Sequence, residues 1–343
     1  MKVMIGLSGG VDSAMSAKYL LESGYEVAGC YFRLFKDDKY HEKNLANARK
    51  VADFLGIELF EADFSSEFAR RVYEPFVASY ERALTPNPCA HCNRHIKFGA
   101  FWDFARERGC EKIATGHYAR IEGGLLAAAF DERKDQSYFL ANIDPAMLGR
   151  VIFPLGERLK SQIKFEASQI PQIAALASQK ESSEICFVPR SYLEILSRHF
   201  DTHAPGLVRN SAGEVVGRHD GYMNFTIGKR KGFTYDGAHE PHYVLAIDPE
   251  RNEITVGEKE ELATFKFETK NFNDFLGNDS NLNDGFNCFV KVRYRSRALP
   301  CRARRKGDGL SVELLEPAYG IARGQLAAFY NDKNQIIGSG FIS

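Results

Sequence analysis

The stretch Lys2-Val3-Met4-Ile5-Gly6-Leu7-Ser8-Gly9-Gly10-Val11-Asp12-Ser13 decides how the rest of this chain reads. Its first six residues are a short apolar run of the kind that fills a buried strand. Ser8-Gly9-Gly10 is a turn, and VDSAMSAKYLLESG (11–24) then carries a helical pattern that stops at Gly24. Beyond it, 26–34 reads as a second strand, 42–54 as a helix stopped by Gly56, and 57–64 as a third strand. Further helices are expected over 67–84 and 98–108, with a fourth strand over 112–119. This alternation predicts βαβ units, hence an α/β fold with a parallel sheet and helices on both faces. Ligands in such sheets bind at the carboxyl ends of the strands, which here lie near Ser8, Phe32, Phe64 and Gly116. A nucleotide-sized pocket is expected there.

The turn itself carries chemistry. Glycines without Cβ let the backbone close on a phosphate, and amides at the start of a helix point toward negative charge. Ser8 and Ser13 add hydroxyl donors. No Lys follows the glycines, so this is not the phosphate loop of ordinary ATPases. Asp12 would repel a phosphate unless it binds Mg²⁺ or caps the helix, and a cap on a tight turn is the alternative reading of the same residues. Directly after a buried strand, SGGVDS favours nucleotide binding.

Two cysteine segments follow. Thr85-Pro86-Asn87-Pro88-Cys89-Ala90-His91-Cys92-Asn93 is stiffened by two prolines, which cannot continue a preceding helix and so expose the loop. Cys92 precedes a helix whose first turns contain Lys97, and both features favour the thiolate. The Cys-x-x-Cys pair alone fits a redox couple, half a zinc site or two buried thiols; no second pair follows at finger spacing. His91 and His95 read as solvated loop histidines. Cys186, in KESSEICF (180–187), reads on its own as a small buried residue.

After about residue 205 the texture changes to turn signals every few residues and short β-rich runs, expected to form a small all-β module or barrel. NFNDFLGNDSNLNDG (271–285) reads as a loop. Between Lys291 and Lys306 stand eight Lys/Arg and no acid, on an expected hairpin, and Lys229-Arg230-Lys231 forms a second cluster. Overall, 45 basic residues balance 45 acidic ones in 343, which argues against an indiscriminate nucleic-acid binder but leaves such local patches their force. Tyr294 among the arginines suits base stacking. A 44% hydrophobic, 26% charged composition excludes a disordered or fibrous chain. No apolar run reaches membrane-span length, and MKVMIGLSGG lacks a signal-peptide pattern, so a cytoplasmic protein with no membrane partner is expected. Seven scattered cysteines do not form a disulfide framework.

SGGVDS resembles the signature of the ATP-pyrophosphatase superfamily. Together with TPNPCAHCNRHIKFG (85–99), ATGHYAR (114–120), KDQSYFL (134–140), EICFV (184–188), YMNFTIGKRKGF (222–233), VRYR (292–295) and ARGQ (322–325), it makes the chain similar nearly end to end to the bacterial tRNA-uridine 2-sulfurtransferases. The resemblance implies an ATP-pyrophosphatase domain over 1–203, a central β-rich domain over 204–262 and a tRNA-contacting β-barrel over 263–343. It implies that Gly6, Leu7, Ser8, Gly9, Gly10, Val11, Asp12 and Ser13, with Phe32 and Gly116, hold ATP with Mg²⁺. Asn87, Pro88 and Cys89 would face the target uridine, with Cys92 as nucleophile and Cys186 as persulfide carrier. His117, Lys134, Asp135, Gln136, Arg293, Tyr294 and Gln325 would contact tRNA. The implied reaction adenylates O2 of the wobble uridine (position 34) of tRNAs for Lys, Glu and Gln. Sulfur from a relay donor protein then replaces that oxygen, leaving a Cys92–Cys186 disulfide.

One position departs from the family. Three residues before the nucleophile its better-known members carry Asp, and here Cys89 stands there. A thiol is a poor acid–base substitute. Cys89, Cys92 and Cys186 therefore also suit three irons of a [4Fe–4S] cluster with an open fourth iron. Two other classes compete. An ATP-pyrophosphatase acting on a small molecule, such as an amidating synthetase, would need an ammonia source that nothing here resembles, and would leave the basic β-rich half without a purpose. A non-catalytic RNA-binding protein would not need intact SGGVDS, Cys92 and Cys186.

Overall fold

A computed structural model describes residues 1–179, 185–188, 190–237, 240–277 and 284–343. Its contacts group the chain into two units. The first comprises Met1–Val72, Cys89–Ser183 and Asn331–Ile337; the second comprises Tyr73–Pro88, Glu184–Tyr330 and Gly338–Ser343.

The first unit is built on strands β1 (Lys2–Gly6), β2 (Glu26–Arg33), β3 (Leu59–Asp63), β4 (Lys112–Ala114) and β7 (Val151–Ile152), with a small antiparallel hairpin, β5 (Arg120–Glu122) and β6 (Leu125–Ala127), inserted before the last. The sheet order is β3-β2-β1-β4-β7, and every pair in it is parallel. The central strand is covered on both faces, which is why Val3, Met4 and Ile5 form an unbroken apolar run and are wholly buried. Helix Val11–Glu22 packs Ala14, Met15 and Leu20 into the same core as Val3 and Ile5. The expected α/β class and parallel sheet are present.

Several boundaries shift for local reasons. Helix Asp38–Leu55 begins earlier than expected because the Asp37 carboxylate accepts the Tyr40 amide at 3.0 Å; it ends as expected at Gly56, whose φ is +66°. The strand expected over 112–119 stops at Ala114. The helix expected over 98–108 is a continuous run from 88 to 106: Pro88–Cys92, then a π-helical Asn93–Ala100, then Phe101–Arg106. Pro88 opens this run instead of blocking it, because the first turn of a helix has no use for its missing N–H.

The second unit holds a four-stranded sheet of β8 (Pro205–Arg209), β9 (Val215–Asp220), β10 (Tyr243–Asp248) and β11 (Glu253–Gly257), in the order β10-β11-β8-β9. Its core is Val208, Phe225, Val244, Ile254 and Val256. Six further strands, β12 (Ala263–Asp274), β13 (Phe286–Lys291), β14 (Leu299–Lys306), β15 (Gly309–Tyr319), β16 (Leu326–Tyr330) and β17 (Ile336–Ile342), close a barrel in the order β12-β15-β14-β13-β16-β17. This is the barrel expected at the end of the chain. The basic stretch is a hairpin, as expected, and period-two alternation along β14 buries Leu299, Cys301 and Ala303 while exposing Arg302 and Arg304. The loop expected over 271–285 is only partly one: Asn271 to Asp274 continue β12, and 278–283 lie outside the described residues. Among the described residues, no helix is long and apolar enough to cross a membrane.

Candidate active site

The turn after β1 is shaped for close approach. Gly9 has φ +78°, and a Cβ there would sit 2.4 Å from the Asn44 carbonyl oxygen. Gly10 is the helix N-cap without any side-chain cap. The Ser13 hydroxyl donates to the Gly10 carbonyl at 3.0 Å and accepts the Ser8 amide at 3.2 Å. Both neighbouring strand ends close on this turn. A Cβ on Gly6 would lie 3.1 Å from the Phe32 ring, and one on Gly116 would lie 3.0 Å from the Ser13 amide nitrogen. The structure thus brings Gly6 to Ser13, Phe32 and Gly116 together at the carboxyl ends of β1, β2 and β4.

Asp12 is not the helix cap. Its Oδ1 accepts from the Lys160 ammonium at 2.5 Å and from the Tyr118 hydroxyl at 2.8 Å. Lys160 is 6% exposed, and its own amide donates to buried Asp131 at 3.0 Å. The glycine turn, which lacks a lysine of its own in sequence, therefore receives one from helix Lys160–Ser168. Sequence reading missed Lys160, Tyr118 and Asp131. The one available signal was slight: Lys160 opens its helix, where a cation opposes the helix dipole and so needs another purpose.

The helical run 88–106 carries the first cysteine pair. Cys92 is buried and Cys89 partly so. Neighbouring side chains clamp the run: Asn93 Nδ2 donates to the Phe139 carbonyl at 3.0 Å and Arg94 Nη1 to the Asn142 carbonyl at 2.8 Å. Two expectations for Cys92 need correction. It sits inside a helix that began at Pro88, and not just before one, so the strongest field of a helix start falls on earlier residues. Lys97 is engaged elsewhere, with Nζ 3.4 Å from His117 Nε2. His91 and His95 are not freely solvated either. Burial is the main cause that holds both below the usual histidine range, His91 at about 4, with neighbouring His95 and Arg94 adding to the effect on His91.

Several residues expected at tRNA turn inward. His117 is buried; Thr115 Oγ1 lies 2.7 Å from its Nδ1, and burial then Lys97 push its pKa far down. A lysine ammonium has only protons to give, so Nε2 accepts and the neutral ring keeps its proton on Nδ1. Asp135 accepts the Ala129 and Ser137 amides, and Gln136 Oε1 accepts the Tyr118 amide at 3.0 Å. Helix Ser137–Leu140 follows them and presents the Phe139 carbonyl that Asn93 grips.

In the second unit, Cys186 is exposed and is followed by buried Phe187 and Val188; the preceding 180–184 lie outside the described residues. Arg293 spends its guanidinium on the carbonyls of Ile227, at 2.9 Å, and Gly320. Gln325 Nε2 donates to the Pro86 carbonyl at 3.2 Å. Cys89 and Cys92 belong to the first unit and Cys186 to the second. Among the described residues no three His, Cys, Asp or Glu side chains converge as metal ligands.

A parallel sheet with this turn, joined to β-rich modules, defines an α/β protein of the HUP type. The tRNA methyl transferase HUP domain family matches residues 1–190, the tRNA methyl transferase PRC-barrel domain 194–258, and the aminomethyltransferase beta-barrel domain 265–342. The tRNA-specific 2-thiouridylase MnmA of Campylobacter fetus subsp. fetus is 58% identical over 100% of both chains. Those of Campylobacter lari and Campylobacter hominis are 51% and 47% identical over 100% of both chains. The chain belongs to the tRNA-specific 2-thiouridylase family. Solved structures resemble it only distantly: an NMN synthetase from Francisella tularensis, 16% identical at TM-score 0.34, covers 52% of this chain and 66% of its own.

Proposed function

We propose that this chain is a tRNA-uridine 2-sulfurtransferase that spends ATP to replace O2 of the wobble uridine, in tRNAs for Lys, Glu and Gln, by sulfur. One observation carries the reading: relatives named tRNA-specific 2-thiouridylase match the whole length of this chain, which holds the glycine turn, both cysteine segments and the barrel in one polypeptide. MgATP binds with its phosphates at the Gly9–Gly10 turn, where the amides of helix Val11–Glu22 face them. Asp12 would be the carboxylate that holds the magnesium ion, which would neutralise phosphate charge, and its partner Lys160 would be the cation nearest the phosphates. Uridine O2 attacks the α-phosphorus and pyrophosphate leaves, so that a poor leaving group becomes AMP.

Sulfur then arrives as the outer atom of a Cys186 persulfide, loaded by a sulfur-relay donor protein. Exposure of Cys186 suits that hand-over. In one route the outer sulfur bonds to C2, AMP departs, and the Cys92 thiolate attacks Cys186 Sγ to free the product sulfur. In the other, Cys92 first bonds to Cys186 Sγ and the released hydrosulfide attacks C2. Both leave a Cys92–Cys186 disulfide, which an external dithiol must reduce. Arg302 and Arg304, exposed on β14, with Lys134, Tyr294 and the 229–231 cluster, hold the tRNA. The protein works in the cytoplasm, where its tRNA substrates are.

Thiolation of unmodified tRNA by purified protein, persulfide donor, MgATP and dithiol tests the reading, with wobble nucleosides read by mass spectrometry. Pyrophosphate release stimulated by small acids and not by tRNA would replace it with a small-molecule synthetase.

A further inference from the structure

The segment Tyr73–Pro88 is, in sequence, part of the sheet-forming region, yet its contacts group it with the β-rich half. It is attached along its whole length. Phe76 meets the Phe187 ring edge-on at 5.3 Å, and Tyr80 stacks on Tyr192 at 4.7 Å and 18°. The Tyr222 hydroxyl donates to the Glu81 carbonyl at 2.8 Å. Beyond helix Glu74–Glu81, the Thr85 amide donates to the Arg323 carbonyl at 2.8 Å and Gln325 to the Pro86 carbonyl. Between those two partners stands Gly324, with φ +89°; a Cβ there would press to 3.1 Å on Leu84 Cβ and on the Thr85 carbonyl oxygen. Reciprocal backbone bonds of 2.8 Å to Ile342, on the last barrel strand, hold this turn in place.

We infer that the barrel turn Arg323-Gly324-Gln325 positions the loop that faces the target uridine, with Gly324 and Gln325 as its positioning residues. This rests on the function proposed above and adds a division of labour. The part of the chain that grips tRNA also sets the register of Asn87 and Pro88, and the grouping changes at the very next residue, ahead of the Cys92 nucleophile. Gln325, expected from the family pattern at tRNA, acts through the loop.

The physical reason is economy of motion. Proline removes a backbone donor and fixes φ, so a loop with two prolines in three residues has few internal hydrogen bonds to define it. Its carbonyls and remaining amides must be satisfied from outside, and the barrel turn supplies both a carbonyl and an amide donor. A glycine is required because any side chain at Gly324 would push the loop away and would strain a positive φ.

The test compares Gly324→Ala, Gln325→Ala and Tyr222→Phe with wild type in three measurements. These are tRNA affinity, single-turnover thiolation at saturating tRNA and ATP, and amide hydrogen exchange of Leu84, Thr85 and Asn87. Gly324→Ala should slow thiolation at least about tenfold, on the order expected for misplacing a reacting group. It should leave tRNA affinity within about twofold, the contacts of the tRNA itself being untouched. Exchange at Leu84, Thr85 and Asn87 should accelerate. The other two variants should show the same pattern more weakly, and they decide the matter if Gly324→Ala does not fold. Unchanged thiolation and exchange in the folded variants would overturn the inference. So would rate and affinity falling by one common factor, which would make the turn a plain tRNA contact. Wild-type protein that fails to thiolate tRNA defeats the functional reading, a failure visible before any variant is compared.

Discussion

Replacing Lys160 by Met tests the least expected feature of the nucleotide site. The side chain is 6% exposed and its ammonium lies 2.5 Å from Asp12 Oδ1. Methionine keeps much of the stem's volume and removes the charge. A cation about 4 Å from a phosphate charge is worth about 4 kcal/mol at an effective dielectric of about 20. At about 1.4 kcal/mol per factor of ten, kcat/KM for ATP should fall about 10³-fold in tRNA-dependent pyrophosphate release. The structural loss should be much smaller. Asp12 is 34% exposed on its side chain and keeps the Tyr118 hydroxyl, so water can replace the missing partner. Lys160→Met should therefore melt within a few degrees of wild type and bind tRNA normally. Pyrophosphate release within about threefold of wild type, in protein that is folded, would refute a phosphate-facing role and leave Lys160 as a mere counter-charge for Asp12.

Other outcomes follow from the same geometry. Cys186→Ser should abolish thiolation and preserve tRNA-dependent pyrophosphate release, since activation precedes sulfur transfer; loss of both would move Cys186 into the activation step. Protein purified without oxygen should hold little iron or acid-labile sulfide, whereas about three irons per chain would revive a cluster and remove the persulfide. Stability should fall on mild acidification. His91 is held at about 4 by burial, against about 6.5 in the unfolded chain, so only the unfolded chain takes up a proton between those values. The favourable contribution is therefore present above about 6.5 and is lost as pH drops, by about 2 kcal/mol at about pH 5, with buried His117 adding in the same direction. Denaturant midpoints that stay level from neutral pH to about 5 would contradict this. Replacing Arg302 and Arg304 by Ser should flatten the salt dependence of tRNA binding by about 0.7–0.9 for each phosphate no longer neutralised; an unaltered slope would take β14 out of the interface.

The parallel sheet was legible because its signals are local: an apolar run, a glycine turn and a helical period repeat within each unit. The cradle at Gly6, Gly9 and Gly116 was legible for the same reason, glycine being informative wherever backbones must approach. Helix starts were less so. Asp37 and Pro88 both open helices ahead of the apolar period that marks them in sequence, so that period alone misplaces Cys92 relative to the helix start. Lys160 could not be found by pattern, because 148 positions separate it from Asp12 and only the fold joins them. The inward turn of Asp135 and Gln136 was hidden similarly: polar residues in a loop look alike whether they meet solvent, RNA or backbone amides. The attachment of residues 73–88 to the β-rich half was invisible, since Phe76 and Tyr80 show the same helical spacing whatever covers them.

That attachment limits how the chain can be divided. A fragment cut at residue 190, where the first family match ends, would retain Phe76, Tyr80 and the proline loop but lose Tyr192, Tyr222 and the glycine that seats the loop. The face of the Tyr80 ring that stacks on Tyr192 would be left wet, favouring self-association. The two halves are thus not interchangeable parts to be traded between enzymes, and a graft onto a foreign RNA-binding tail would have to carry residues 73–88 with the tail, not with the catalytic head.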